Sequence, residues 1–146
     1  MSDYNKIVVG TDGSKSSLLA VERAAKIAAA FDATLIIGCA YYENKEEASK
    51  TLRQDSVTIL GDDTAKANLS AGREHAEKFG VKSIETAVRP GTPVQALMAI
   101  VNEFGADLLV VGNRGINSLT GRLLGSVPAD VARQSDCDVM IVHTVN

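Results

Sequence analysis

In the last third of the sequence, nine residues separate a glycine-rich turn from a glycine–serine pair. The first is Gly112-Asn113-Arg114-Gly115 and the second is Gly125-Ser126. Glycine leaves backbone N–H groups unobstructed, and the positive end of a helix dipole favours an anion, so this spacing predicts a phosphate-binding loop between a strand and a helix. The same residues would also fit an ordinary chain turn and a helix cap, and the spacing alone leaves both interpretations open.

A second turn, Gly10-Thr11-Asp12-Gly13, ends a short apolar run that begins at Lys6. Such a run is typical of a buried strand that stops at a turn. Asp12 has two interpretations, because its carboxylate either faces a bound phosphate or caps the helix that follows. A carboxylate beside a phosphate is repelled unless a cation intervenes, so the first interpretation includes Mg²⁺ or Mn²⁺ held largely by the ligand's own oxygens.

Other nucleotide and metal motifs do not fit the sequence. The segment from Gly10 to Ser16 lacks the G-x(4)-G-K-[ST] spacing of a P-loop, and no G-x-G-x-x-G follows the first apolar run. His75 and His143 lack a nearby serine–acid set or metal-ligand spacing, so we expect both to be structural. We predict no catalytic residue, and a metal ligand stays unassigned.

Strand and helix patterns alternate along the chain between and around these turns. We predict strands at 6–10, 33–41, 82–89, 107–112 and 138–145, and helices at 14–31, 65–79, 93–104 and 126–134. Thr92, Pro93 and Gln95 indicate the start of the third helix, and Gly105 its end. The alternation favours an α/β fold with an open, doubly wound five-stranded parallel sheet, in which ligands bind outside the carboxyl ends of the strands.

Composition and charge narrow the class of protein. The chain has 146 residues and a net charge of -3, with no block of lysine or arginine. We therefore predict one domain over residues 1–146 and no nucleic-acid partner, since binding to a phosphate backbone requires concentrated positive charge. No signal sequence or membrane span is visible, and Cys39 and Cys137 lack CxxC spacing, so we expect reduced thiols in a cytoplasmic protein.

The motif G-x-x-G-x(9)-G-[ST], following the strand pattern from Gly105 to Gly112, resembles the nucleotide loop of the universal stress protein family. The likeness extends to the segments Ile7 to Ser14, Arg89 to Gly91 and Val139 to Val142, and so spans nearly the whole chain. It implies a Rossmann-like sheet of strand order 3-2-1-4-5. The resemblance also implies that ATP or another adenine nucleotide is held across strands one and four, with cyclic AMP as a further candidate.

The resemblance implies that the residues that contact the nucleotide lie in four segments of this chain: Gly10, Thr11, Asp12, Ala40, Gly112, Asn113, Arg114, Gly115, Gly125, Ser126 and Val127. The resemblance implies that Gly112 and Gly115 lie near the ribose and phosphates, with the segment from Gly125 to Val127 around the phosphates. It also implies that Asp12 faces the ribose and phosphate region, and that the backbone of Ala40 meets the edge of the adenine.

Two positions depart from the family pattern. Pro128 stands where serine or threonine is common, which removes one N–H and one hydroxyl from the start of the last helix. We expect a weaker or differently arranged phosphate site as a result. Asp138 replaces a frequent proline before the last strand, and we expect little consequence there.

The resemblance implies a binding or regulatory protein that senses or sequesters the nucleotide, and this is our main interpretation. The alternative is a slow ATPase or a self-phosphorylating enzyme that uses the same site. The segment from Val139 to Val145 contains no Asp, Glu, Lys or Arg and would form an apolar sheet edge. Symmetric pairing through it predicts a homodimer.

Overall fold

The computed structural model describes residues 4–43, 62–113 and 126–144. Five strands lie in this part of the chain: β1 (Lys6–Gly10), β2 (Thr34–Tyr41), β3 (Ser83–Pro90), β4 (Leu108–Gly112) and β5 (Asp138–Val142). The helices between them are α1 (Lys15–Phe31), α2 (Asp62–Glu77), α3 (Pro93–Phe104) and α4 (Ser126–Gln134).

The strands form one parallel sheet in the order β3-β2-β1-β4-β5, as predicted. β1 lies in the centre, where Gly10 pairs with Gly38 of β2 and Val9 pairs with Val110 of β4. The chain first winds outward from β1 to β3 and then crosses to β4 on the other side. The winding therefore reverses between β1 and β4, which is where doubly wound sheets bind ligands.

The central strands are buried on both faces, and their side chains alternate between two cores. In β1, Ile7 and Val9 pack in a cluster with α1 and α2, whereas Val8 packs in a cluster with α3 and α4. The same alternation runs through β2 and β4. Two helices therefore cover each face, and the carboxyl edge of the sheet is left for the connecting turns.

Helix ends follow the predicted chemistry in α3 and depart from it in α2. Thr92 and Gln95 form a capping box before α3, and Gly105 ends the helix in a left-handed conformation with φ of 66°. α2 ends at Glu77, earlier than predicted, because the amide of Phe79 bonds back to the carbonyl of Ala76 in a tighter turn. The side chain of Phe79 still packs against the α1–α2 core.

A contact that the sequence did not indicate joins the segment before β1 to the start of β5. The hydroxyl of Tyr4 donates a hydrogen bond of 2.7 Å to the carboxylate of Asp138 at the start of β5. Proline has no carboxylate to accept this bond, so Asp138 adds a contact here that was not predicted, and its small consequence stays a prediction. β5 also ends at Val142 and is therefore shorter than the predicted strand.

The cysteines lie on opposite faces of the sheet. Cys39 is buried with the α1–α2 cluster, and Cys137 is half-buried and packs on the α3–α4 cluster. Both thiols are free, and the sheet between them rules out a disulfide. None of the helices in the described part of the chain has the length and apolar character needed to cross a bilayer.

Candidate functional site

Three of the predicted site residues stand at the carboxyl ends of adjacent strands. Gly10 ends β1, Gly112 ends β4, and Ala40 is the last but one residue of β2. Because β1 pairs with both β2 and β4, the three residues border one edge of the sheet. This edge includes the point where the winding reverses, so the structure brings together the turns that the sequence separates by up to a hundred residues.

The turn after β1 is built from a directional chain of hydrogen bonds. The amide of Gly13 donates to Thr11 Oγ1, which lies 2.9 Å from Ser17 Oγ, and the hydroxyl of Ser17 donates to the carbonyl of Ser14 at 2.8 Å. Since the Ser17 proton is used there, the Thr11 hydroxyl donates to Ser17. Thr11 is buried, and its amide also bonds to the carbonyl of Gly38 in β2. The turn is therefore ordered by bonds among its own residues and by one backbone bond to β2.

Asp12 does not cap α1. Ser14 is the N-cap, and its hydroxyl oxygen accepts the amide of Ser17 at 3.1 Å. Asp12 Oδ1 instead accepts the amide of Ser14 at 2.9 Å, which makes a local turn one step before the cap. The capping interpretation was thus off by two residues. The half-buried Asp12 carboxylate stands at the carboxyl edge of the sheet, beside the end of β1.

The backbone of Ala40 points toward a part of the sheet edge that β1 does not reach. In a parallel ladder, alternate residues of a strand direct their N–H and C=O groups to the same neighbour. Gly38 bonds toward β1 and Tyr41 bonds toward β3, so Ala40 faces the β1 side. β1 ends at Gly10, opposite Gly38, and this leaves the Ala40 groups beyond the last strand pair. The arrangement suits a planar base that is recognised through its edge.

Two residues beside this edge escaped prediction. Asn68 of α2 hydrogen-bonds to the thiol of Cys39, which in turn donates to the Ala40 carbonyl at 3.6 Å. Burial raises the pKa of Cys39 to about 11, the hydrogen bond from Asn68 opposes the shift, and the charge of Asp12 adds to it. The thiol is therefore protonated at neutral pH. Helical spacing from Ala65 and Gly72 was the signal that places Asn68 on the inward face of α2.

The side chain of Asn113 ties the end of β4 to the residues that follow β5. Asn113 Oδ1 accepts two hydrogen bonds from the buried Thr144, from its amide at 2.9 Å and from its hydroxyl at 3.0 Å. His143 Nδ1 lies 3.4 Å from Asn113 Nδ2. The backbone amide of Asn113 donates to the carbonyl of Val142. Asn113, predicted as a ligand contact, thus also ties β4 to the end of β5.

The rest of the predicted loop is described only in part. Arg114, Gly115 and Gly125 lie outside the described residues. Ser126 begins α4, and the half-buried side chain of Val127 packs on the α3–α4 core. Pro128 lies within the first turn of α4, where the missing N–H breaks no helical bond.

A metal site formed by protein side chains alone is not seen in the described ranges. Among residues 4–43, 62–113 and 126–144, no three His, Cys, Asp or Glu side chains cluster closely enough to hold an ion. The groups that do converge at this edge are backbone amides and carbonyls, hydroxyls and one carboxylate. These groups suit a ligand with a hydrogen-bonding base and sugar.

Comparison with known proteins assigns the chain to a family. The Universal stress protein family profile matches residues 3–143. A universal stress protein of Mycobacterium tuberculosis is 48% identical over 146 residues, covering 99% of each chain. The crystal structure of a universal stress protein in complex with cAMP is 46% identical, with a TM-score of 0.78 and coverage of 99% of this chain and 100% of that one.

A more distant relative shares the fold alone. The universal stress protein UspA from Lactobacillus plantarum is 21% identical, with a TM-score of 0.76 over 97% of this chain and 99% of that chain. The profile match over residues 3–143 and the full-length similarity to a curated relative point to the same family. This chain therefore belongs to the universal stress protein family.

Proposed function

We propose that this protein binds an adenine nucleotide at the carboxyl edge of β1, β2 and β4, with cyclic AMP as the preferred ligand. The observation that carries the proposal is the backbone of Ala40, which faces beyond the end of β1 next to the Thr11–Gly13 turn. A base recognised through backbone groups would leave its ribose and phosphate beside that turn and Gly112. The relative solved with cAMP, 46% identical over nearly the whole chain, supports this ligand.

Charge favours a ligand with few phosphates. The Asp12 carboxylate stands at the site, and it repels each negative charge placed near it. Cyclic AMP carries one negative charge, whereas ATP carries several and would need a divalent cation between its phosphates and Asp12. Cyclic AMP is therefore our first candidate, and ATP with Mg²⁺ or Mn²⁺ is the second.

We infer a sensing or sequestering role rather than catalysis. The Thr11, Ser14 and Ser17 hydroxyls are all engaged in the turn, and Asp12 Oδ1 accepts the Ser14 amide. These groups hold the shape of a binding site. A cytoplasmic location agrees with the free thiols of Cys39 and Cys137.

Calorimetric titration of the purified protein tests the proposed ligand. Cyclic AMP, cyclic GMP, AMP, GTP and ATP with and without Mg²⁺ should each be titrated, with phosphate release followed for ATP. We expect cyclic AMP to bind in the micromolar range and more tightly than cyclic GMP, with ATP binding strengthened by Mg²⁺. Binding of no adenine nucleotide below millimolar concentration, or equal binding of cyclic GMP, would overturn the proposal. Steady release of phosphate would favour the enzymatic alternative.

We further propose a homodimer through the edge formed by β5. One side of β5 pairs with β4, and its half-buried residues Val139, Met140 and Ile141 carry no charge. An unprotected apolar edge of this kind favours symmetric strand pairing. Sedimentation should give a dimer that Ile141→Lys dissociates, whereas Glu85→Lys on the opposite edge strand should not. A monomeric wild-type protein at micromolar concentration would contradict this.

A further inference from the structure

Asn68 is a polar residue on an otherwise apolar helix face. Its neighbours on that face of α2, Ala65, Leu69 and Gly72, are buried against the sheet and α1. The Asn68 carboxamide lies against the turn after β1, since a Cβ atom added to Gly13 would fall 2.5 Å from Asn68 Oδ1. Gly13 also has a φ of 85°, a conformation that glycine adopts without strain. The turn and the helix are thus fitted to each other at this point.

Asn68 also reaches the strand that presents Ala40. Its hydrogen bond to the thiol of Cys39 links α2 to β2. The thiol in turn donates a hydrogen bond to the Ala40 carbonyl at 3.6 Å. The thiol is protonated and donates to the carbonyl, so the amide of Asn68 donates to the sulfur. The order of donors is therefore Asn68, Cys39 and Ala40, and such chains strengthen each bond by polarisation.

We propose that Asn68 is a positioning residue of the nucleotide site, which sets the Gly13 turn and the Ala40 carbonyl at the spacing that one adenine nucleotide requires. The inference rests on the proposed function. Asn68 contacts the turn through its carboxamide oxygen and the base-facing strand through Cys39. It joins the part of the site that would meet the ribose and phosphate to the part that would meet the base.

The role predicts a loss of base discrimination rather than a uniform loss of affinity. The 6-amino group of adenine can donate to the Ala40 carbonyl, whereas hypoxanthine presents an oxygen at that position. When the Ala40 carbonyl is no longer held by the thiol and Asn68, a ligand with adenine should lose more affinity than a ligand with hypoxanthine. A purely structural role would weaken both ligands equally.

The experiment compares cyclic AMP and cyclic IMP by calorimetry. We expect Asn68→Ala to weaken cyclic AMP about five- to tenfold, the effect of one lost hydrogen bond, and cyclic IMP less than about twofold. Ser70→Ala, an exposed substitution in the same helix with the same gain in helix propensity, should change neither. Equal weakening of both ligands by Asn68→Ala, or no weakening of either, would overturn the proposal.

A second pair of variants tests the thiol link itself. Cys39→Ser keeps a donor between Asn68 and Ala40 and should retain discrimination, whereas Cys39→Ala should lose it as Asn68→Ala does. Cys137→Ser is the control, because Cys137 lies on the other face of the sheet. Retention of discrimination in Cys39→Ala, or its loss in Cys39→Ser, would contradict the link.

A ligand-free measurement separates this inference from the proposed function. If the wild type binds no adenine nucleotide, the proposed function fails, and the positioning role is judged by amide hydrogen exchange. Asn68→Ala should then speed exchange at the Gly13 amide about fivefold or more, since the turn loses its support. It should also shift the S–H stretching band of Cys39 in a Cys137→Ser background. Unchanged exchange together with an unchanged band would overturn the inference.

Discussion

The ends of β1 and β4, which border the candidate site, are stabilised in different ways. The turn after β1 is closed by groups between Thr11 and Ser17, which lie within one short segment of the chain. The end of β4 is closed by Asn113 and Thr144, which are 31 residues apart. The side-chain bonds of the turn after β1 form within its own segment, whereas the bonds between Asn113 and Thr144 exist only when β5 is in place.

Because of this difference, we expect the two halves of the site to respond differently when β5 opens. The β1 half is the turn from Thr11 to Ser17, and the β4 half is Gly112 with Asn113. β5 is an edge strand held by β4 and by the bond from Tyr4 to Asp138. Opening of β5 would release Asn113 and Gly112 while the Thr11–Ser17 turn stays intact. If the protein dimerises through β5, assembly would stabilise the β4 half and leave the β1 half almost unchanged.

The largest expected effect is the loss of the Asn113–Thr144 contact. Asn113→Ala should lower the free energy of unfolding by about 3 kcal/mol, because it leaves a buried amide and a buried hydroxyl of Thr144 without their acceptor. Urea denaturation measures the loss. Thr144→Val, which removes the hydroxyl and keeps the amide bond, should cost about 1 kcal/mol. A loss in Asn113→Ala no larger than that in Thr144→Val would contradict the account of this half.

Gly13→Ala should destabilise the β1 half, with a smaller loss in the free energy of unfolding. We expect a loss of about 2 kcal/mol, from the positive φ and from the contact with Asn68. Gly80→Ala is the matched control, because Gly80 has nearly the same φ, 83° against 85°, and open space around its Cβ position. Gly80→Ala should cost about 1 kcal/mol and leave nucleotide affinity unchanged. Equal costs for the two variants would show that the Asn68 contact contributes nothing.

Removal of the N-cap of α1 should destabilise only the start of that helix and the turn after β1. Ser14→Ala should cost about 1 kcal/mol, since the Ser17 amide loses its acceptor. Thermal unfolding by circular dichroism checks the loss, and Ser16→Ala inside α1 is the control. Amide exchange should rise around Ser14 and stay unchanged at Asn113. Faster exchange at Asn113 would mean that the two halves are coupled.

The smallest expected effect is a dependence on pH at the contact between α1 and α2. Burial alone raises the pKa of Glu22, but hydrogen bonds from Lys26 and His75 outweigh it and bring the pKa below its ordinary value of 4.5. The resulting stabilisation, about 0.5 kcal/mol for a partly exposed group, is present above that value and is lost as the pH falls through the lower folded-state pKa.

Glu22→Gln isolates this contribution. Urea denaturation between pH 7 and pH 3 should show a shallower loss of stability in the variant than in the wild type. Identical pH profiles would mean that the ion pair does not stabilise the docking of α2, the helix that carries Asn68.

The contrast between local and long-range contacts also explains which features could be predicted from the sequence. The sheet order and the Thr92 capping box follow from local patterns and from the family resemblance, and they were correct. The bonds of Asn113 to Thr144 and of Asn68 to Cys39 join segments far apart in the chain, and no local pattern encodes them. The end of α2 was wrong because Phe79 keeps its place in the core without helical backbone.

Mapping of backbone amide shifts by NMR during titration with cyclic AMP tests the central claim most directly. The account predicts that the largest shifts fall at Thr11, Gly13, Ala40 and Gly112, with His75 and the sheet's amino edge nearly unchanged. Saturable shifts that lie away from the carboxyl ends of β1, β2 and β4, or no shifts at millimolar cyclic AMP, would contradict it.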